Sequence, residues 1–342
     1  MPVMRALLLF FLAFFAACGE GEPAASPEGG AAARSLPRVR AYRLPDDLVQ
    51  VRMDGNGADV GWRRATEQKI TLQGDAEHGP TDVAIKAIYH DKAVYFLLMW
   101  RDESATMETF CRFEKPGQWK VHEREDAALL LFAPGNVDAE FRAHGFDWYV
   151  KNGAFHSQAK EGFADAWYWG CQTTRSLHQA RDHWIRPNQR LRGDSQPEGS
   201  DNVVNWASTH DGPAAVPRKT GGRAVSVLPI KDSIALTKQR MDLMKAESNF
   251  GWTVPAVLSR RMLGSRGDVH ASARHVGGVW VLEIARKLDT GNRDDLVHGD
   301  PLRPSLFAIA IWNATARGIR PGEYGLECTR SGAIELEFVS ES

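Results

Sequence analysis

Seven short stretches of the chain are alternating or unbroken apolar runs rich in β-branched and aromatic residues: 69–72, 83–89, 93–100, 127–132, 269–275, 279–285 and 306–312. Runs of this length, closed by polar or glycine-containing joints, predict strands rather than helices. Two joints read as tight turns, His90-Asp91 and Gly277-Gly278, and the second suits a hairpin because adjacent glycines accept the left-handed backbone that such turns need. Sequential hairpins imply antiparallel pairing. There is no regular strand-helix-strand alternation and no glycine-rich phosphate loop, so a doubly wound nucleotide-binding sheet is disfavoured. The expected class is all-β: an immunoglobulin-like antiparallel β-sandwich with a long loop-rich insertion and a few short helices. The insertion is the stretch 133–268, where strand patterns thin out and Gly, Trp, His, Arg and Asp accumulate. Within it, Ile234, Leu236, Met241 and Met244 fall at roughly helical spacing and predict a short helix over 233–248.

The N-terminus has a different pattern. A basic start ending at Arg5 leads into ALLLFFLAFFAA and then Cys18. Twelve apolar residues fall short of the roughly 20 needed to cross a bilayer, so the segment reads as a secretory signal. Phe15-Ala16-Ala17-Cys18 is similar to a bacterial lipobox, which makes Cys18 the expected lipidated N-terminus, and Gly19 rather than Asp after it favours the outer membrane. The expected location is therefore the bacterial cell envelope, lipid-anchored and facing the periplasm. Residues 19–37 are mostly Gly, Ala, Pro, Ser and Glu with little to bury, so 18–37 reads as a flexible tether. The expected division is a signal at 1–17, the tether at 18–37 and one β-sandwich domain at 38–342.

Composition narrows function mainly by exclusion. Lys and Arg total 42 against 43 Asp and Glu, a net charge of −1, which builds no field for a nucleic acid. The cysteines, at 18, 111, 171 and 328, form no CxxC pair for zinc, a redox dithiol or covalent haem. No G-x-S-x-G, no H-E-x-x-H and no framed pair of acids supports hydrolysis, so an enzyme is not expected. Asp294, Asp295 and Asp300 offer the oxygen ligands that Ca²⁺ takes, but at no recognisable loop spacing, and a solvated turn is the preferred reading there.

Six phrases in order carry a resemblance. They are Asp54-Gly55 with Trp62 and Ala65; Ala84-Ile85-Lys86-Ala87 running to Trp100-Arg101-Asp102; Glu125-Asp126 before Leu129; Asp165-Ala166-Trp167-Tyr168-Trp169; Asp268-Val269 to Trp280 and Arg286; and Leu288-Asp289-Thr290-Gly291. Together, over residues 45–340, they resemble the haem-binding subunit of ethylbenzene dehydrogenase and its relatives, whose sandwich is similar to carbohydrate-binding module family 9 and to DOMON-like domains. The resemblance implies one b-type haem, held non-covalently between loops by a Met and a Lys, and electron transfer to a redox partner protein. Met raises the potential of haem iron, and two protein ligands leave no open position for O₂ chemistry.

Met107, in the loop after the W-x-D corner, is the residue the resemblance offers as the first ligand. The second departs from the family pattern: the aromatic box runs on into Gly170 and Cys171 instead of a Lys. His156, His178 and His183 are candidate replacements, since neutral imidazole is a common haem ligand, and Cys171 is a fourth. A Cys111–Cys171 disulfide is the alternative fate of that thiol in an oxidising compartment. Trp148, Trp167, Trp169, Trp184 and Trp206 are dense enough to line a cleft, either for the cofactor or, in a haem-free accessory module, for stacking on sugar rings.

Overall fold

The structure is a computed structural model. It describes residues 35–45, 51–74, 79–90, 92–107, 110–115, 118–122, 125–133, 138–146, 164–185, 253–255, 261–262, 264–292, 295–298, 305–313 and 328–340. Its elements run β1 (Arg38–Arg43), β2 (Gln68–Leu72), β3 (Thr81–His90), β4 (Ala93–Arg101), β5 (Phe110–Lys115), β6 (Gln118–His122), β7 (Ala127–Phe132), α1 (Asp138–His144), β8 (Ala164–Gly170), β9 (Arg181–Ile185), β10 (Thr253–Pro255), β11 (His270–Val276), β12 (Val279–Lys287), β13 (Ser305–Trp312), β14 (Thr329–Arg330) and β15 (Ile334–Val339). All seven expected strands are present. The expected helix at 233–248 lies outside the described residues.

The main sheet has the order β11-β12-β4-β3-β1-β15-β13-β7-β8-β9, with β2 beside β3 and β14 beside β13; β10, β5 and β6 form a separate ribbon. Its pairings are antiparallel except at β1, which lies parallel to both β15 and β3. The Gly277-Gly278 turn has φ of 59° and 77°, the left-handed pair expected of a two-residue hairpin. The sheet curls into a β-sandwich. Phe96 of β4 meets Trp167 of β8 and Phe307 of β13 across the interior, at ring-centroid distances of 6.0 and 5.9 Å.

The two ends of the sheet meet as well. Gln179 and His270 form an antiparallel bridge, and the Ala180 amide donates to the Val269 carbonyl at 3.0 Å. The segment between β8 and β9 therefore ties one edge to the other, which covers strand edges that would otherwise be open.

Burial explains the two kinds of strand pattern. In β4, Val94, Phe96, Leu98 and Trp100 face the central core, while Leu97 packs outward with Leu44, Trp62 and Ile88 under the loop before β2. In β7 and β8 every residue is buried, because the outer face is also covered, by Phe141 of α1 and by Phe146, Cys328 and Ala333. A strand buried on both faces reads as an unbroken apolar run rather than an alternation.

Candidate functional site

At the end of the sandwich where β4 stops and β7 begins, the chain is held by buried carboxylates. Asp102 is 3% exposed; its carboxylate accepts from the Ser104 amide at 3.2 Å and its carbonyl from His275 Nε2 at 2.8 Å. Burial, with Asp126 nearby, pushes the Asp102 carboxyl up to about 6. Asp126 accepts from the Thr106 amide at 2.7 Å and from the Trp280 indole at 3.1 Å, and its own amide donates to the Thr106 carbonyl. Cys171 closes the same knot, its thiol donating to the Thr106 carbonyl at 3.0 Å.

Thr106 is thus fixed from two sides, and the next residue is Met107. Its backbone bridges Glu125, whereas its side chain is 42% exposed.

The position after the aromatic box is different. A Cβ on Gly170 would stand 2.5 Å from Glu125 Oε1 and 2.6 Å from Thr173 Oγ1. Glu125 is itself buried and anchored, accepting from the amides of Gln172 and Thr173 at 2.6 and 2.9 Å and from the Thr173 hydroxyl at 2.7 Å. Burial raises its carboxyl to about 7 despite those donors. Any side chain at residue 170 would displace the anchored Glu125 and Thr173 side chains.

The replacement candidates differ in their surroundings. His183 is 7% exposed within β9, and burial lowers its imidazole to about 3, which keeps it neutral. Cys171 is a free buried thiol whose pKa burial pushes well up, so it is neither in the disulfide considered above nor a thiolate.

His178 is exposed, adopts φ of 53°, and its Nδ1 lies 2.7 Å from the Ser272 hydroxyl. In the tautomer that donates Nδ1–H to that hydroxyl, Nε2 carries its lone pair outward, the usual support for a ligating His. It sits along β11, however, and no described contact joins it to Met107. His156 and Cys18 lie outside the described residues, as does the side chain of Cys111.

The Trp cleft is not formed by the residues described. Trp62, Trp100, Trp167, Trp169 and Trp280 are all 2% exposed or less. Trp100, Trp169 and Trp280 pack on one another, with Trp169 and Trp280 centroids 5.2 Å apart, Trp167 packs on Phe96 and Phe132, and Trp62 packs with Leu44, Ile88 and Leu97. They are core. Side chains of Trp148, Trp184 and Trp206 lie outside the description.

A second polar cluster, which the sequence pattern did not single out as a unit, lies where the two ends of the sheet meet. Arg286 of β12 is fully buried. It pairs with Asp165 of β8 at 2.7 Å, Asp182 of β9 at 3.0 Å and Asp295 at 3.5 Å, and stands 4.8 Å over the Trp167 ring. Burial alone would lower the guanidinium pKa, but the three carboxylates more than offset it and hold it above its ordinary value. The solvated turn expected at Asp295 is corrected here: it is 7% exposed, its carboxylate accepting from Thr290 at 2.6 Å and from Asn292 at 2.9 Å.

The sequence profile of the ethylbenzene dehydrogenase family matches residues 59–320, more than half of the chain. The chain belongs to that family. Among solved structures it is similar to a putative carbohydrate-binding protein from Bacteroides uniformis, at 6% identity over 89% of this chain and 100% of the other, with a TM-score of 0.40. It is also similar to a carbohydrate-binding module of family 9 from Caldicellulosiruptor kristjanssonii in complex with cellotriose, at 10% identity over 89% and 95%, with a TM-score of 0.35. No curated protein matches.

Proposed function

We propose that the chain is a lipid-anchored, periplasm-facing module that binds one b-type haem without covalent attachment and passes electrons to a redox partner protein of the envelope. The observation that supports this reading is Met107: in a member of this family, a thioether 42% exposed on a backbone fixed by Asp126, Cys171 and Glu125. The donor set fits one axial ligand at Met107 and does not fit a second at residue 170. The nitrogen donor is assigned to an imidazole, His156 or His178. Bound haem would supply one-electron exchange, with the sulfur ligand favouring the reduced iron.

The test is haem content. Protein purified from a haem-replete host, or titrated with haem, is expected to hold one haem per chain with a Soret band. Protein that stays colourless after haem addition contradicts the reading and favours the second one, a haem-free ligand-binding module. That module would draw its Trp platform from Trp119, Trp148, Trp184, Trp206 or Trp252, because the described Trp side chains are core.

A further inference from the structure

Among the described residues, carboxylates outnumber the cations paired with them in the Arg286 cluster. Four carboxylates, Asp165, Asp182, Asp268 and Asp295, converge there, and among the described residues the ion pairs of the cluster run to one guanidinium. Buried charges persist only when paired, hydrogen-bonded or bound to a metal. The neighbouring His298 does not help, since burial pushes its pKa well below the ordinary value and keeps it neutral.

The excess is localised. Asp182, Asp268 and Asp295 each offer a carboxylate oxygen, and these three oxygens lie within 4.8 Å of one another. Asp182 is 0% exposed; its Oδ2 accepts from Arg286, while its Oδ1 is buried with no donor among the described residues, and its carboxyl, raised by burial, lies against that of Asp268. Asp268 repeats the arrangement, with Oδ2 accepting from Asn292 at 2.9 Å and Oδ1 unpartnered. Asn292 also donates to Asp295, so one amide sets the spacing of two of the three acids.

We infer that Asp182, Asp268 and Asp295 form a binding site for a divalent, calcium-sized cation that clasps the two ends of the curled sheet. The donors are all oxygen, which selects a hard cation over zinc or copper. The acids come from β9, from the residue two before β11, and from the turn after β12, an irregular set that suits calcium's flexible coordination better than the strict octahedron of magnesium. A cation there would fix β9 to β11 and β12 at the place where Gln179 and His270 make the edge-to-edge bridge. The site is independent of haem.

The competing account of two facing buried carboxylates is a shared proton. The experiment strips the purified full chain with EDTA, then titrates Ca²⁺ alone, and separately Mg²⁺, at neutral pH, following heat and thermal unfolding. The expected result is one Ca²⁺ per chain and, at a hundredfold excess over Kd, a rise of about 5 °C in Tm, with Mg²⁺ weaker.

Asp182→Asn disturbs the Arg286 pair and risks misfolding, so the decisive variant is the half-buried Asp268→Asn, which keeps an acceptor for Asn292. It should lose Ca²⁺ binding, yet in EDTA melt at or above the wild-type temperature, because one uncompensated charge is gone. Absence of a Ca²⁺ response in the wild type, an equal response in Asp268→Asn, or an Asp268→Asn melting point well below wild type in EDTA would overturn the site.

Discussion

The carboxylate of Glu125 occupies the space that any side chain at residue 170 would need: a Cβ on Gly170 would lie 2.5 Å from Glu125 Oε1. The two residues stand on neighbouring segments, since β7 begins two residues after Glu125 and pairs Ala127 with Gly170. The anchored carboxylate of Glu125 and the absence of a side chain at residue 170 are therefore linked by packing.

Gly170→Ala should therefore destabilise the fold by overpacking, at about 1–3 kcal/mol. Urea unfolding checks this. Gly170→Lys should cost more, because the longer side chain must displace Glu125 and Thr173.

Removing Arg286 should be among the most damaging single changes. Arg286→Leu leaves Asp165 and Asp182 buried without their cation, and breaking a buried pair in this way costs about 3–5 kcal/mol. The denaturation midpoint reads the loss. Adding Asp165→Asn to Arg286→Leu should recover part of it, which a purely packing role for Arg286 would not produce.

Seven of the fifteen described strands were legible in the sequence, for local reasons, whereas β8, β9 and β10 fall in the stretch 133–268, whose pattern reads as a loop-rich insertion. Strands β7 and β13 are buried on both faces and read as unbroken apolar runs; β11 and β12 are joined by two adjacent glycines. Strand β1 was not legible. Its exposed Arg38 and Arg40 mask the buried Val39 and Ala41, and its parallel partners β3 and β15 are remote in sequence.

The same distance hid the acidic cluster, whose members at 165, 182, 268 and 295 share no spacing. Motif order drew attention to Met107 and Gly170, whose ligand roles belong to the proposed reading. It could not show that Trp167 and Trp169 face inward, because an aromatic box looks alike whether it lines a cleft or fills a core.

Asp102 makes stability depend on pH in a defined window. Its folded carboxyl titrates near 6, above the roughly 3.9 of an unfolded Asp. Between these values the folded state holds more protons than the unfolded one, so stability from this group is present at low pH and is lost as pH rises from about 4 to about 6. Asp102→Asn keeps an acceptor for Ser104 and removes the charge. Its unfolding free energy should match wild type near pH 4 and exceed it by about 1–2 kcal/mol above pH 6, the upper limit being discounted for partial solvent screening. Paired denaturation curves at the two pH values measure the difference.

Membrane attachment through Cys18 is checked by fractionation. Cys18→Ala is expected to move the protein from the membrane to the soluble fraction of the envelope. Retention on membranes with the apolar segment removed would contradict anchoring through this residue.

The central claim is most directly tested at Met107. Haem-loaded wild-type protein and Met107→Ala are compared by reduced and oxidised absorption spectra and by redox titration. A bound haem with a thioether ligand predicts a low-spin, six-coordinate wild-type spectrum, a shift toward high spin in Met107→Ala and a lower reduction potential, with Met262→Ala, a buried control, changing neither. Spectrum and potential unchanged in Met107→Ala would contradict the account.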